Sequence, residues 1–381
     1  MSNFDYIIIG AGAAGLLLAD ALGNDDFFSS SSILIIDQDN KTKNDRTWCF
    51  WESGNGKFDH LLHKSWPIIH FAGKELNRSS PIAPYRYKML RGIDFYDHYV
   101  EKIKKNPNVT WVKDRVIMVE ENGKKVLVTC QNGFFSGRMA FDSRFNPEPV
   151  RKQQKYPLLQ QHFMGWFIKT EKPVFNPEEA TFMDFSIPQK GNTRFMYVLP
   201  FSQTEALLEY TLFSENLLEK SEYENGIQDY MEQNFGRIAF EITDVEQGTI
   251  PMTCYGFHKH NSNRIVHIGV AGGWAKPSTG FTFYNTSKRV TTLVDHLKKN
   301  KPFTEFYKKG RFWFYDLLLL DILHRQNHLG QSIFESMFKK RKPQLILKFL
   351  DEETSLWEDL KIISACPKMP FIKALFQRMF L

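Results

Sequence analysis

Three glycines near the start of the chain have the spacing of a phosphate-binding turn. They follow an apolar, β-branched run at residues 6–9 and precede a helix-like stretch. A strand, tight turn and helix let the backbone approach a pyrophosphate, and an acid ending the next strand could accept hydrogen bonds from a ribose. The pattern predicts a dinucleotide site without distinguishing FAD from NAD. The predicted binding residues are Gly10, Gly12, Ala13, Ala14, Gly15 and Asp37.

A carboxylic acid among apolar neighbours is the first candidate for proton chemistry. Glu209 lies in the predicted strand Ala206–Phe213, on the face that also carries Leu207 and Phe213. Both faces of this strand look largely buried, so the charged form of Glu209 is disfavoured. Its pKa is then expected to rise into the range that suits a proton donor. From the residues alone, an outward-facing strand glutamate is the alternative.

A second group of acids and aromatic residues follows the predicted dinucleotide unit. Asp45 and Glu52 are candidate catalytic acids, and Trp48 and Trp51 could stabilise a cation in a substrate pocket. The alternative is a surface turn with an arginine–carboxylate pair, its tryptophans packed between domains. Asp184, flanked by apolar residues, could be another acid or base in the pocket, or a strand-end cap or salt-bridge partner.

A second glycine-rich segment lies between a predicted strand at Ile265–Ile268 and a predicted helix at 281–299. Its backbone N–H groups and the helix N-terminus would favour negative charge on a bound cofactor ring. The alternative is a loop whose glycines serve only turns. Phe281 and Phe283 could line a substrate pocket, although aromatic residues on a helix more often fill a core. The predicted cofactor contacts in this segment are Gly272, Gly273, Ser278, Thr279 and Gly280.

The elements that must position these residues predict an α/β fold with an inserted sheet. A strand, helix and strand open the chain, antiparallel strands dominate from residue 160, and the chain then returns to the first unit. Residues after Pro302 look helical and aromatic. We predict a discontinuous dinucleotide-binding domain (1–55, 93–150 and 245–300), a β-rich substrate domain (56–92 and 151–244) and a helical C-terminal region (301–381) that could form a membrane-docking lid.

Composition excludes several function classes. The net charge is +6 without a dense basic block, which disfavours nucleic-acid binding. Four widely spaced cysteines indicate neither a disulfide framework nor a metal site, and they fit a reducing compartment. No export signal or spanning apolar segment is evident. We therefore expect a cytoplasmic protein that does not cross a membrane but could lie on one.

Several motifs in order along the chain are similar to those of one enzyme family. The chain resembles the bacterial lycopene beta-cyclases, and the likeness runs from residue 5 to the C-terminal region. One departure from flavin hydroxylases fits that family: Val270 follows Gly269 where hydroxylases carry an aspartate. The motifs are Asp45–Glu52, Phe141–Arg144, Gln161–Gly165, Leu208–Phe213, Ile250–Met252 and Gly269–Phe281.

The resemblance implies a Rossmann-like FAD-binding domain of flavin-monooxygenase type and an isomerase that is active with reduced FAD. NADPH or NADH would be the electron donor. The reaction would be the redox-neutral cyclisation of the ψ end groups of lycopene, or of other acyclic carotenoids, to β-ionone rings, giving γ-carotene and then β-carotene. The family's essential acid falls at Glu209. Such an enzyme would associate peripherally with the inner face of the cell membrane.

A membrane-docking surface and two other functions remain open. The apolar stretch Phe312–Leu323 with the basic residues that follow could bind anionic lipid, or it could be a helical lid packed on the core. A flavin-dependent oxidoreductase of the same fold, either a hydroxylase or a prenyl reductase, would consume NAD(P)H in each turnover. A carotenoid- or lipid-binding protein with a purely structural FAD would show no activity.

Overall fold

A computed structural model describes residues 3–307 and 309–379. Its strands are β1 Asn3–Ile9, β2 Ile33–Asp37, β3 Thr47–Ser53, β4 Lys64–Trp66, β5 Ile68–Ala72, β6 Asn77–Pro81, β7 Tyr85–Arg91, β8 Val109–Lys113, β9 Val116–Asn122, β10 Lys125–Cys130, β11 Phe134–Asp142, β12 Leu159–Thr170, β13 Glu179–Asp184, β14 Thr193–Pro200, β15 Glu205–Ser214, β16 Phe240–Met252 and β17 Ile265–His267. Its α-helices are α1 Ala13–Gly23, α2 Gly92–Lys104, α3 Glu148–Lys152, α4 Lys220–Phe235, α5 Phe283–Lys298, α6 Arg311–Arg325, α7 Gly330–Lys340, α8 Pro343–Leu350, α9 Leu356–Ala365 and α10 Lys368–Met379.

The first sheet has the strand order β8-β2-β1-β11-β10-β9, with β17 also paired to β11. Strands β8, β2, β1, β11 and β17 run parallel, and β9 and β10 form an antiparallel extension. The central strands β1 and β2 are continuous apolar runs because both of their faces are buried. Helices α1, α2 and α5 pack on one face of this sheet. The carboxyl end of β1 leads through the glycine turn into the start of α1.

The second sheet has the order β16-β12-β15-β14-β13-β5-β6 and is antiparallel except where β13 meets β5. One face packs against α4, and the other packs against the C-terminal helices and a small third sheet of order β3-β7-β4. The two predicted faces of β15 are confirmed. Leu208 and Tyr210 contact the α4 side, whereas Leu207 and Phe213 belong to the opposite core.

The predicted α/β architecture with an inserted antiparallel sheet and a helical C-terminal region is confirmed. The sequence analysis did not predict α4 or the strands β4 to β7. Strand β16 runs to Met252 in the second sheet, beyond the predicted boundary at residue 244, and β3 pairs with β7 across another predicted boundary. The division into domains therefore stays a prediction.

A buried lysine ties the second glycine-rich segment to the C-terminal helices. The Lys276 ammonium lies 3.0 Å from an Asp316 carboxylate oxygen in α6 and 3.0 Å from Glu352. The Ser278 hydroxyl donates to the other Asp316 oxygen at 2.6 Å. Burial raises the pKa of Asp316, so removal of its cation would leave a costly buried charge.

Replacement of Lys276 is accordingly expected to destabilise the protein. We predict that Lys276→Met lowers the free energy of unfolding by about 3–5 kcal/mol, the usual cost of breaking a buried ion pair. Lys105→Met, which breaks a pair with Glu101 whose side chains are both about 70% exposed, is the control and should cost less than about 1 kcal/mol. Urea unfolding followed by circular dichroism measures both. Equal losses in the two variants would contradict the anchoring role.

Candidate active site

A cavity of about 630 Å³ lies between the second sheet, strand β3 and the segment that leads into α5. Strands β12, β15 and β16 supply one wall, and the N-terminus of α5 supplies part of another. Seven of the residues selected from the sequence line it, namely Asp45, Trp48, Glu209, Thr279, Gly280, Phe281 and Phe283.

Glu209 is the predicted acid, and its carboxyl group faces this cavity from β15. The side chain is half-buried because it meets the cavity on one side, while protein encloses it elsewhere. The Thr211 hydroxyl, on the same strand face, donates to Glu209 Oε1 at 2.5 Å. Burial raises the pKa of Glu209 to about 8, and the nearby carboxylate of Glu246 adds to the rise. Both effects favour the protonated form of Glu209.

Glu246 is a second cavity carboxyl group, and the sequence analysis missed it. Burial raises its pKa to about 7. The Thr47 hydroxyl donates to Glu246 Oε2 at 2.6 Å, and Oε1 is buried. Glu246 belongs to a mostly polar, exposed strand, so local sequence gives no sign that it reaches the cavity. Only the pairing of β16 with β12 places it there.

A glycine lets the two carboxyl groups approach each other. Gly165 in β12 pairs with Glu209 on one side and with Glu246 on the other. A Cβ atom at Gly165 would lie 2.8 Å from Leu207 Cδ1, 3.3 Å from Glu246 Cγ and 3.6 Å from Glu209 Cβ. Because no side chain stands between the outer strands on this face, the glutamates meet above β12 and each affects the pKa of the other.

Aromatic and polar residues at β3 form the other side of the cavity. The Trp48 ring stacks on Phe283 with centroids 4.9 Å apart, and it makes an edge contact with Tyr96. The Tyr96 hydroxyl donates to Asp45 Oδ1 at 2.9 Å. Asp45 is exposed, so it lies on the open side of the cavity rather than in a dry position.

Three predicted acidic or aromatic site residues, Glu52, Trp51 and Asp184, do not line the cavity. Glu52 forms a 2.9 Å ion pair with the buried Lys88, rather than the arginine–carboxylate pair of a surface turn. Trp51 packs behind Phe281 at a centroid distance of 4.7 Å, and its indole N–H donates to the Leu347 carbonyl oxygen at 3.0 Å. Trp51 thus supports the cavity wall from outside.

Asp184 turns away from the cavity because of a β-bulge. The pairing of β13 with β14 shifts between Thr181 and Asp184, which places Asp184 opposite Met196 on the face that packs against α4. There its Oδ2 accepts a 2.7 Å hydrogen bond from the Tyr230 hydroxyl, and its Oδ1 accepts from the Ser186 N–H. These contacts fit a structural strand-end role.

The first glycine motif has the geometry of a dinucleotide turn. Gly10 has φ +93°, and a Cβ at Gly15 would lie 1.9 Å from the Gly10 carbonyl oxygen. Nothing lies within 4 Å of a Cβ at Gly12, which precedes α1 without any side-chain cap. Asp37 Oδ2 accepts from the Ala11 N–H at 2.5 Å, so this acid also holds the turn itself. The turn leaves room for a phosphate at the helix N-terminus.

The second glycine segment reaches the cavity only in part. The Gly272 and Gly273 amides donate within their own turn, and a Cβ at Gly272 would lie 2.3 Å from the His267 carbonyl oxygen. The turn alternative therefore describes these two glycines, and Ser278 serves the Asp316 contact described above. By contrast, the buried Thr279 hydroxyl has no hydrogen-bond partner among the described residues and lines the cavity.

Solved structures define the class of fold. A geranylgeranyl bacteriochlorophyll reductase-like protein from Thermoplasma acidophilum is 12% identical with a TM-score of 0.61, over 98% of both chains. The flavin-dependent brominase Bmp2 is 15% identical with a TM-score of 0.60 over 99% of both. The monooxygenase PnpA from Pseudomonas putida is 12% identical with a TM-score of 0.59, over 95% of this chain and 99% of that one. The chain thus has the α/β fold of FAD-dependent monooxygenases and halogenases.

The family is narrower than the fold. Residues 5–376 match the family described as lycopene cyclase protein, so the chain belongs to the lycopene cyclase family. The lycopene beta-cyclase of Pantoea ananas is 23% identical over 98% of this chain and 97% of its own. That of Paracoccus sp. is 31% identical over 32% of each chain.

The raised pKa values predict a particular dependence of stability on pH. A carboxyl group whose pKa is higher in the folded than in the unfolded protein stabilises the fold fully below its unfolded value, and this contribution is lost as pH rises through the folded value. For Glu209 the loss runs from about pH 4.5 to about pH 8. Between pH 5 and pH 9 the free energy of unfolding should fall less in Glu209→Gln/Glu246→Gln than in the wild type. The difference should be about 1.4 kcal/mol for each pKa unit by which the fold raises the two carboxyl groups.

Urea unfolding at a series of pH values measures this difference. Glu205→Gln/Glu241→Gln, at more exposed positions on the same two strands, is the control and should follow the wild-type curve. Parallel curves for the wild type and the cavity variant would show that neither cavity carboxyl holds its proton at neutral pH.

Proposed function

We propose that the protein is a lycopene beta-cyclase, an isomerase that converts the ψ end groups of lycopene to β-ionone rings without net redox change. The supporting observation is a carboxyl group with a raised pKa, Glu209, that lines a cavity in a chain of the lycopene cyclase family. The products would be γ-carotene and then β-carotene, and other acyclic carotenoids with the same end group would be substrates.

Cyclisation needs a proton at a terminal double bond. Glu209 meets the first requirement of a donor, because burial keeps the group protonated near neutral pH and its Oε1 is held by Thr211. Oε2 is then the oxygen that can carry the transferred proton. Protonation of the alkene and closure of the ring by a new C–C bond leave a cation in the ring, and loss of one ring proton restores neutrality.

The ring cation needs a wall that excludes water without reacting. The π faces of Trp48, Phe281 and Phe283 line the cavity and suit a delocalised cation. Asp45 lies on the open side, where its exposed carboxylate contributes negative charge and does not act as a buried proton donor. We therefore propose electrostatic support for Asp45, and no direct part in the reaction for Glu52.

The residues around the first glycine turn fit FAD. The uncapped N-terminus of α1 with open space at Gly12 would hold the pyrophosphate, and Asp37 would meet the ribose. Two buried polar atoms without partners, Gln161 Oε1 and Thr279 Oγ1, lie at the cavity and would meet a polar ring edge. Reduced FAD would supply negative charge near the cavity, and NADPH or NADH would keep it reduced.

A lycopene-accumulating bacterial host tests the proposal. We expect the wild-type protein to give β-carotene of unchanged mass with an altered chromophore. Glu209→Gln should lower cyclisation at least about a hundredfold, the usual contribution of a general acid, while its bound flavin stays. Glu205→Gln, whose side chain is 47% exposed at the edge of the same strand, is the matched control and should cyclise as wild type does. Pigments are measured by mass and absorption.

Other products would overturn the assignment. An oxygenated product would indicate a hydroxylase, a product heavier by hydrogen would indicate a prenyl reductase, and unchanged lycopene would leave a binding protein. Full cyclisation by Glu209→Gln would remove Glu209 from the mechanism.

We also propose that the protein lies on the inner face of the cell membrane through α9 and α10. The predicted docking residues of α6 are wrong as an exposed surface, since Phe312, Leu317 and Leu320 are buried in the core as in the lid alternative. No helix in the described part of the chain is long and apolar enough to span a membrane. Helices α9 and α10 expose eight large apolar residues, which together we call the α9–α10 face: Leu356, Trp357, Leu360, Ile363, Met369, Ile372, Leu375 and Phe376.

Charge favours a lipid surface as the partner of this face. Trp357 is 78% exposed and Met369 is 73% exposed, which is unusual for large apolar residues on one helical pair. Lys361, Lys368 and Lys373 are exposed on the same two helices. Apolar side chains beside lysines are typical of helices that lie in the interface of anionic membranes.

Binding to vesicles tests this surface. We expect the wild-type protein to bind vesicles of phosphatidylglycerol and phosphatidylcholine more tightly than phosphatidylcholine alone. Trp357→Ser/Phe376→Ser should weaken binding at least about tenfold, because each buried large apolar side chain contributes more than about 1.4 kcal/mol. Phe27→Ser/Phe134→Ser, at two sites each 61% exposed elsewhere, is the control. Equal weakening by both variants, or no binding by wild type, would contradict the proposal.

A further inference from the structure

The proposed acid step uses only the Glu209 carboxyl, so it does not explain why a second carboxyl, that of Glu246, lies beside it. Strands β15 and β16 flank β12, and both glutamates lie opposite Gly165 on the face that lines the cavity. Two carboxyl groups so close cannot both ionise without mutual repulsion. The pair therefore favours a state in which one proton is shared between the two carboxyl groups.

The hydrogen bonds of each carboxyl distinguish the donor from the acceptor. The Thr47 hydroxyl donates to Glu246 Oε2 at 2.6 Å, which stabilises the carboxylate form of Glu246. Glu246 Oε1 is buried, and the Glu246 and Glu209 carboxyl groups are joined by a hydrogen bond that lowers the pKa of Glu246 and raises that of Glu209. A carboxylate on a residue that lines the cavity, in contact with the acid, is placed to accept a proton from a bound molecule and to pass it on.

Several groups act on the protonation of Glu246. The Thr47 hydrogen bond and positive Arg46 favour its carboxylate form, whereas negative Asp244 on the same strand opposes it. Around Glu209, burial and the Glu209 carboxyl raise the pKa of Cys49 and of Tyr197, which favours their neutral forms. Because the pKa of Glu209 is raised further than that of Glu246, a proton shared by the pair resides preferentially on Glu209.

We infer that Glu246 is the base that removes the ring proton after Glu209 has protonated the terminal double bond, a role that rests on the proposed cyclase function. The contact between the two carboxyl groups above Gly165 then returns the proton from Glu246 to Glu209 for the next turnover.

The reaction balances in protons and electrons. The O–H bond of Glu209 breaks as a C–H bond forms at the double bond, and the second double bond attacks the cation to form the ring C–C bond. A ring C–H bond then breaks, its electron pair becomes the ring double bond, and the proton forms an O–H bond on Glu246. One proton enters and one leaves, so the product is an isomer of the substrate.

The position of the base decides which ring proton leaves and hence where the ring double bond forms. We expect Glu246→Gln to lower cyclisation at least about tenfold and to divert product to rings of the same mass with the double bond elsewhere. Removal of the negative neighbour also lowers the pKa of Glu209, so the alkaline limit of activity should move to lower pH. Chromatography, absorption and rate profiles with purified flavin-loaded enzyme measure these effects.

Two further variants keep the test decisive. Glu241→Gln, on the exposed part of β16, is the control and should match wild type. Gly165→Ala keeps both carboxyls but places a methyl group 2.8 Å from Leu207 Cδ1 and 3.3 Å from Glu246 Cγ, so both side chains must shift, and we expect it to produce the same diversion if Glu246→Gln fails to fold. The role of Glu246 would be overturned, and the cyclase function would stand, if the wild-type protein makes β-rings and Glu246→Gln or a folded Gly165→Ala makes the same product at the same rate. Failure of the wild-type protein to cyclise lycopene would overturn the cyclase function as well.

Discussion

A proton kept on a carboxyl group inside a protein must be held there by the surrounding structure. In this chain the hold comes from burial and from a second carboxyl directly across one strand, and both raise the pKa of Glu209. The missing side chain at Gly165 is the geometric condition, since any larger residue would stand between the two acids. Hydroxyl groups of Thr47 and Thr211 satisfy one oxygen of each acid and leave the others for chemistry.

The rest of the fold holds the walls of that cavity in place. Stacked aromatic rings join β3 of the third sheet to α5, which packs on the first sheet, with Trp48 on Phe283 as the central contact. The C-terminal helices close the opposite side through a core that includes Phe182 and Phe338. The buried Lys276 pairs hold the segment before α5 against α6. The site thus depends on contacts between residues that are far apart in the sequence.

Local sequence predicted what depends on local pattern. The βαβ unit, the two faces of β15 and the acid at Glu209 follow from periodicity, glycine spacing and family motifs. Glu246 was missed because β16 is polar along most of its length, and only its register against β12 brings one of its acids inside. Asp184 was misplaced because a bulge changes which face a strand residue occupies. Burial of α6 and exposure of α9 and α10 depend on which helices pack against the core, and helical periodicity does not encode that choice.

The family and its structural neighbours share a fold that serves several chemistries, so the nucleotide turn by itself would not account for the redox-neutral reaction proposed above. The difference must lie in the groups that face the substrate. The proposed acid and base, one strand apart and with a common proton, would provide a complete cycle of proton delivery and removal that needs no change in electron count. On this proposal a cofactor would contribute charge and shape, while the carboxyl pair would carry the proton. A fold that elsewhere supports oxidation would then support isomerisation because its sheet brings two buried carboxyls together.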